Sequence, residues 1–291
     1  MKRYNLFDNN FSHTLKEHGH ITSTYCYKPE KTEWVLKQNN FDGVTVFTDH
    51  FIRADAVPII RSVNSPYKVA WIIEPKVIHS WPYYYIKRVL NEFDLVLSHH
   101  NEVLELSDKC KFVPGNGSWI EEKNWGTHED EKENLICMIA SEKNDTYGHK
   151  MRHAIVKAYE GQDKFDLYGR AYNPIPDGKK EDVLKKYMFS IEIENCLEEN
   201  YFSEKLIDCL ALGTIPIYYG PQGVADYFNN DAILHFTNPK ELKDILDNVS
   251  QGKYVSLVDN VRENYEAVKK FRIMDDYVTE VIEKHTNGGI K

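Results

Sequence analysis

Long apolar runs are missing from this 291-residue chain. Nothing in residues 1–19 has the apolar core that a signal peptide or membrane anchor needs, so neither is expected. Cysteine is sparse and scattered: Cys26, Cys110, Cys137, Cys196 and Cys209, with no Cys-x-x-Cys spacing. That argues against a zinc site and a disulfide framework, and reduced thiols in the cytoplasm are the simplest expectation. Basic excess is missing too. Lys and Arg total 36 against 45 Asp and Glu, a net charge of −9, which excludes a generic nucleic-acid binder but leaves room for a local basic pocket. There is no glycine-rich loop of the Gly-x-x-x-x-Gly-Lys-Ser/Thr or Gly-x-Gly-x-x-Gly type, which speaks against an ATPase or a dehydrogenase. There is no Asp-x-Asp either. A site that grips a diphosphate through a divalent metal would be expected to show such a carboxylate pair, so a metal-free site using Arg and Lys is the better expectation.

What is present is a soluble globular composition, 42% hydrophobic and 28% charged. Apolar runs of strand length recur at 44–48, 69–73, 95–98, 135–140, 165–168, 214–219 and 232–236. Between them lie segments read as helices at 33–38, 54–62, 83–93, 149–159, 181–186, 203–212, 239–249 and 261–284. A short strand and turn are expected at 111–120. Such alternation predicts an α/β protein with parallel sheets covered by helices. The polar, aperiodic stretch 121–133 reads as a linker. Two Rossmann-like domains result: residues 1–125, and residues 134–291 with a last helix that can pack back on the first domain. Ligands are expected between them, at the carboxyl ends of the strands.

The densest chemistry lies in residues 186–221. Met188 to Ile193 alternates apolar and polar side chains like a strand with one polar face. Glu194 and Asn195 follow it, Ser203 can cap a helix, and Gly213 can end it. Lys205 falls in the first turn of that helix, where a cation is disfavoured. Either it points to water and pairs with Glu204 or Asp208, or an anion sits on the helix N-terminus beside it. Ser141 and Arg170 follow other strands of the same half, and Arg152 lies early in the helix after the first of them. With Tyr201, Glu204 and Lys205 they suit a nucleotide diphosphate, Glu204 taking the ribose hydroxyls. In the first half, Glu74 ends an apolar strand and precedes Pro75, so it is either a general base or a solvated strand end. His79, His99 and His100 are rival bases. Trp81, Tyr83 and their aromatic neighbours are either core and rim or a sugar platform, with His79, on the acceptor side.

The 186–221 stretch resembles the donor-binding signature of the α-1,3/4-fucosyltransferases, the family-ten glycosyltransferases. Phe189, Glu194-Asn195-Cys196, Tyr201-Phe202-Ser203-Glu204-Lys205-Leu206, Pro216-Ile217 and Gly220 follow that signature in order and spacing. Ser141 with Arg152, and Tyr168-Gly169-Arg170, resemble two further family segments. Ile72-Ile73-Glu74-Pro75 resembles the family's Glu-Ser-Pro segment without its serine. Cys196 stands where the family has serine, Ser203 where it has threonine, and Ile193 where it has an aromatic. The resemblance implies a GT-B fold, a GDP-fucose donor, and an inverting, metal-independent transfer of fucose to a hydroxyl of an acceptor glycan, in α-1,3 linkage. It implies that Arg152 and Lys205 hold the diphosphate, that Glu204, Tyr201 and Asn195 hold ribose and fucose, and that Glu74 is the base. A transferase for another nucleotide sugar, or an idle nucleotide- or sugar-binding protein, are the alternatives. The partners expected are a GDP-sugar and an oligosaccharide or glycoconjugate, with no nucleic acid.

Overall fold

A computed structural model describes residues 1–9, 19–23, 27–170 and 172–286; Cys26 lies outside them. The chain forms two units, Met1–Trp119 with Ile273–Lys291, and Ile120–Arg272.

The first unit contains β1 (Lys2–Phe7), β2 (Thr32–Leu36), β3 (Val44–Thr48), α1 (Val57–Ser62), β4 (Tyr67–Trp71), α2 (Trp81–Val89), β5 (Leu95–Ser98), α3 (Asn101–Leu104) and β6 (Cys110–Phe112). The strands form one parallel sheet in the order β2-β1-β3-β4-β5-β6. Apolar side chains alternate to both faces, as a doubly covered parallel sheet requires. Phe7, Phe47, Ala70 and Val96 pack with Ile60 and Ile86 of α1 and α2. Leu6, Val46, Val69 and Leu97 fill the other face. The order reverses between β1 and β3, so the carboxyl ends of these strands flank a switch point, the usual ligand position in such sheets.

The second unit contains β7 (Asn134–Ile139), α4 (Tyr147–Tyr159), β8 (Phe165–Tyr168), α5 (Glu181–Leu184), β9 (Tyr187–Ile193), α6 (Glu204–Ala211), β10 (Ile215–Tyr219), β11 (Leu234–His235), α7 (Pro239–Asn248), α8 (Gln251–Ser256) and α9 (Val258–Val268). Its sheet is also parallel, ordered β11-β10-β9-β7-β8. Here the reversal falls between β7 and β9. The final helix, α10 (Met274–Thr286), belongs to the first unit. Its Met274, Val278 and Ile282 pack on Trp34, Trp71 and Leu95. Asp275, fully buried, accepts hydrogen bonds from Thr22 Oγ1 at 2.8 Å and Trp34 Nε1 at 2.7 Å. Asp276 accepts from the backbone N–H groups of Glu30, Lys31 and Thr32 at 2.8–3.0 Å.

Three expectations are corrected. Residues 33–38, read as a helix, contain strand β2: Trp34 is buried, pairs in register with Tyr4 and bonds to Asp275, so distant partners override local preference. The linker at 121–133 is part of the second unit. Gly126 N–H donates to Ala211 O at 3.1 Å, and Lys132 is buried with its ammonium on Leu184 O, Leu212 O and Thr214 Oγ1 at 2.7–3.2 Å. Burial pulls the Lys132 amine down to about 7. The long helical tail at 261–284 is broken after α9, and α10 starts at Met274. Among the described residues no helix is long and apolar enough to cross a membrane.

Candidate active site

The carboxyl ends of β7, β8 and β9 gather the polar residues singled out in the second half. Ser141 follows β7, Arg170 follows β8, and Glu194 and Asn195 follow β9. Arg152 rises from α4 and is buried at 6% exposure; its Nη2 donates to Ile193 O at 3.0 Å and its Nη1 to Ser141 Oγ at 3.2 Å. The guanidinium therefore lies against the end of β9, at the switch point. Burial pulls it down, opposed by the charges of Glu192, Glu194 and Glu204. Arg170 is exposed and forms no ion pair among the described residues.

Ser203 caps α6 as its sequence suggests, its Oγ accepting from Lys205 N at 3.4 Å. Lys205 does not point to water. Its ammonium lies 3.0 Å from Ser203 Oγ, 3.1 Å from Glu204 Oε1 and 3.6 Å from Glu194 Oε2. Burial works against that charge, but Glu204 and Glu194 outweigh it and hold the amine above its ordinary range. Asp208, one turn along α6, pairs with Lys180 instead. Glu204 is held below the usual carboxylate range: burial opposes its charge, but Lys205 and Lys180 outweigh it. Tyr201 is buried at the start of this loop. The Asn195 Oδ1 atom is buried without a hydrogen-bond partner, which is the state expected of an acceptor reserved for a ligand.

Glu194 has a different place from the one a ligand-binding carboxylate would take. It is 0% exposed and accepts from Ser203 N–H at 3.0 Å, Ser203 Oγ at 2.7 Å and Tyr218 Oη at 3.2 Å. It fixes the loop that starts α6 and so positions Lys205 and Glu204.

Two glycines allow this closeness. A Cβ on Gly148, at the start of α4, would lie 1.9 Å from Glu194 O. A Cβ on Gly169, where φ is +140°, would lie 1.9 Å from Ala140 O. Gly148→Ala is therefore expected to push α4 away from the end of β9 and to lower the thermal midpoint, measured by thermal melting.

Glu192 was not singled out by its sequence. The alternation of β9 suggests one polar face in water, yet every residue of the strand is buried. Glu192 instead accepts from Ser190 Oγ at 2.6 Å inside the unit. Burial pushes its carboxyl up to about 7, partly offset by the Ser190 bond and by Lys180 and Lys205. Because its folded value lies above its unfolded one, its contribution is fully present below the unfolded pKa and lost as pH rises through about 7. Glu192→Gln should flatten that decline and exceed the parent in stability at pH 8, read by denaturant melts at pH 5 and pH 8.

In the first unit, Glu74 lies three residues beyond β4, since the ladder stops at Trp71 and Ile72 and Ile73 run on outside it. Its backbone is held at both ends. Its N–H donates to Asp49 Oδ2 at 3.1 Å, and its carbonyl accepts from Tyr83 Oη at 2.7 Å. Asp49, the first residue after β3, is 0% exposed and also accepts from Ile73 N–H at 2.9 Å. Asp49 was missed because nothing local marks it; only the register of β3 with β4 brings it under Glu74. The rings of His79 and Trp81 lie against each other, tilted by 30° with 4.5 Å between centres. Tyr83 is buried at 2% exposure, so it acts through the Glu74 backbone and offers little ring surface. His99 is fully buried beside Tyr83 Oη, and His100 Nδ1 caps α3 by accepting from Glu102 N–H at 3.1 Å. Both histidines are thereby occupied structurally.

Comparison with known proteins bears on both units. Residues 129–272 match glycosyltransferase family 10 (fucosyltransferase) C-term. The chain is 30% identical over 147 residues to a Gallus gallus GDP-fucose protein O-fucosyltransferase 3, covering 48% of this chain and 29% of that protein. It is 32% identical over 101 residues to the Homo sapiens 4-galactosyl-N-acetylglucosaminide 3-alpha-L-fucosyltransferase FUT6, covering 32% of this chain and 28% of that one. The chain thus spans under a third of the length of these curated relatives. An alpha1,3-fucosyltransferase crystallised with GDP shares the fold, with a TM-score of 0.58 at 17% identity over 99% of this chain and 91% of that one. The two parallel-sheet units therefore have the fold of GT-B glycosyltransferases, and residues 129–272 match the C-terminal domain of glycosyltransferase family 10, the fucosyltransferases.

Proposed function

We propose that this protein transfers fucose from GDP-fucose to a hydroxyl of an acceptor glycan, with inversion, in α-1,3 linkage and without a metal ion. One observation carries the reading: within a family 10 domain, Arg152 and Lys205 converge with the N-terminus of α6 at the switch point of the sheet. Their charges and the first-turn N–H groups suit a diphosphate, and they supply the electrostatic role a divalent cation would otherwise fill. Glu204, Tyr201 and the unpartnered Asn195 Oδ1 would hold ribose and fucose, with Ser141 and Arg170 at the rim of the same strand ends. Glu194 and Ser203 hold the loop in shape.

In this mechanism Glu74 takes the proton of the acceptor hydroxyl as its oxygen bonds to the anomeric carbon of fucose. The bond from that carbon to the β-phosphate oxygen breaks, and GDP leaves with the negative charge. Arg152, Lys205 and the α6 N-terminus stabilise that charge as it develops, where fixed dipoles have most effect. His79 and Trp81 would border the acceptor. Free thiols at Cys110, Cys137, Cys196 and Cys209 support a cytoplasmic setting.

A thermal-shift panel tests the donor. GDP-fucose and GDP should raise the melting midpoint, and UDP-glucose should not. A UDP-sugar that stabilises more than GDP-fucose would replace this reading with that of another GT-B transferase.

A further inference from the structure

We infer that Lys180, ion-paired with Asp208 one turn along α6 from Glu204, is a positioning residue of the donor site that holds Glu204 as the acceptor for the ribose hydroxyls. The inference rests on the reading of Glu204 as the ribose contact and assigns that contact its support. The Lys180 ammonium meets the Asp208 carboxylate, a side chain 1% exposed against 21% for the lysine. Glu204 opens α6 and Asp208 lies four residues on, so both carboxylates leave the same side of the helix, with Cβ atoms roughly 5–6 Å apart. Packing brings the lysine there. Its carbonyl starts α5 by accepting from the Val183 and Leu184 N–H groups at 3.1 and 2.9 Å. Val183 and Leu184 are buried with Leu212, the residue that ends α6. The start of α5 is thereby fixed against α6 before any ligand binds.

Burying a lysine–carboxylate pair costs desolvation that its attraction often only repays, so stability alone is a poor reason for this one. Its place beside Glu204 supplies a better reason. Glu204 Oε1 lies 3.1 Å from the Lys205 ammonium, and the Lys180 charge adds to that of Lys205 in opposing the burial of Glu204. With Lys180 gone, the buried Asp208 carboxylate would stand uncompensated on the Glu204 side of the helix and repel it. An ionised, fixed Glu204 accepts two hydroxyls as charge-assisted hydrogen bonds, and a protonated or displaced one does not.

Calorimetry with GDP and with 2′,3′-dideoxy-GDP, which lacks both ribose hydroxyls, tests this without turnover. The parent should bind the dideoxy analogue at least about tenfold more weakly than GDP. In Lys180→Met that ratio should fall to about threefold or less, because GDP loses more affinity than the analogue. A lysine that only braced the fold would lower both affinities alike and leave the ratio unmoved. Lys180→Met leaves the Asp208 carboxylate buried and unpaired, so the double variant Lys180→Met with Asp208→Asn, which removes both charges, is measured beside it and should show the same fall. A ratio like the parent's in either variant overturns the inference. Failure of the ribose reading looks different: Glu204→Gln itself would then keep the parent's ratio.

Discussion

Replacing Lys205 by alanine is expected to weaken GDP binding about 10- to 100-fold in calorimetry, the range for loss of a charge-assisted contact to a phosphate. The ammonium is not a loose surface charge. It is gripped by Ser203 Oγ, Glu204 and Glu194 at 3.0–3.6 Å, so its position is set before any ligand arrives. Without it, the carboxylates of Glu194 and Glu204 would face an incoming diphosphate with less positive charge to oppose them, from Arg152 and Lys180. The loss should therefore exceed that of one hydrogen bond and diminish at high salt. Lys205→Arg keeps the charge but not the compact ammonium geometry, and should recover part of the affinity. If Lys205→Ala binds GDP like the parent, the diphosphate is held elsewhere and the role of α6 is lost with it.

Glu74→Gln should lower kcat by about 10²-fold or more, with GDP affinity unchanged within a factor of two. The amide is nearly isosteric, and the hydrogen bonds to Asp49 Oδ2 and from Tyr83 Oη that help place residue 74 are made by its backbone. The substitution thus removes the proton acceptor and leaves the loop in place. Donor affinity should not change, because every residue proposed to hold GDP belongs to the second unit. Steady-state kinetics paired with calorimetry separates the two effects. Retained turnover would assign the acceptor proton to another group.

The fold was legible wherever burial and period coincide. The apolar runs at 44–48, 95–98 and 165–168 are strands β3, β5 and β8 to the residue. Ser203 and Gly213 bracket α6 because capping is local chemistry. What failed was decided at a distance. Residues 33–38 became a strand because β1 and the buried Asp275 receive them. The apolar run at 69–73 outlasts its ladder: Ile72 is buried and Ile73 half-buried as they lead the chain to Glu74. Charges at 121–133 suggested a linker, yet Lys132 ends inside on three oxygen acceptors.

The candidate site divides in the same way. The residues read from the end of β9 and the start of α6 lie together, since one β-α-β unit supplies them. Their supports were not legible. Gly148 matters through a single close approach to Glu194 O, Glu192 through a buried bond to Ser190, and Asp49 through the neighbouring strand. The Gly148 and Asp49 contacts are tertiary, and Glu192 is set apart by the burial of its whole strand, so none has a local signature. Glu194 shows the converse: its type suggests a ligand contact, and its full burial on Ser203 and Tyr218 makes it the support of the loop.

The most direct test is incubation with GDP-fucose and an array of acceptor glycans in the presence of a chelator, with products read by mass spectrometry and NMR. The account predicts one fucose added to an acceptor, in α linkage, with undiminished yield under chelation. GDP binding with no product on any acceptor, transfer of a different sugar in a parallel donor panel, or loss of transfer under chelation would contradict it.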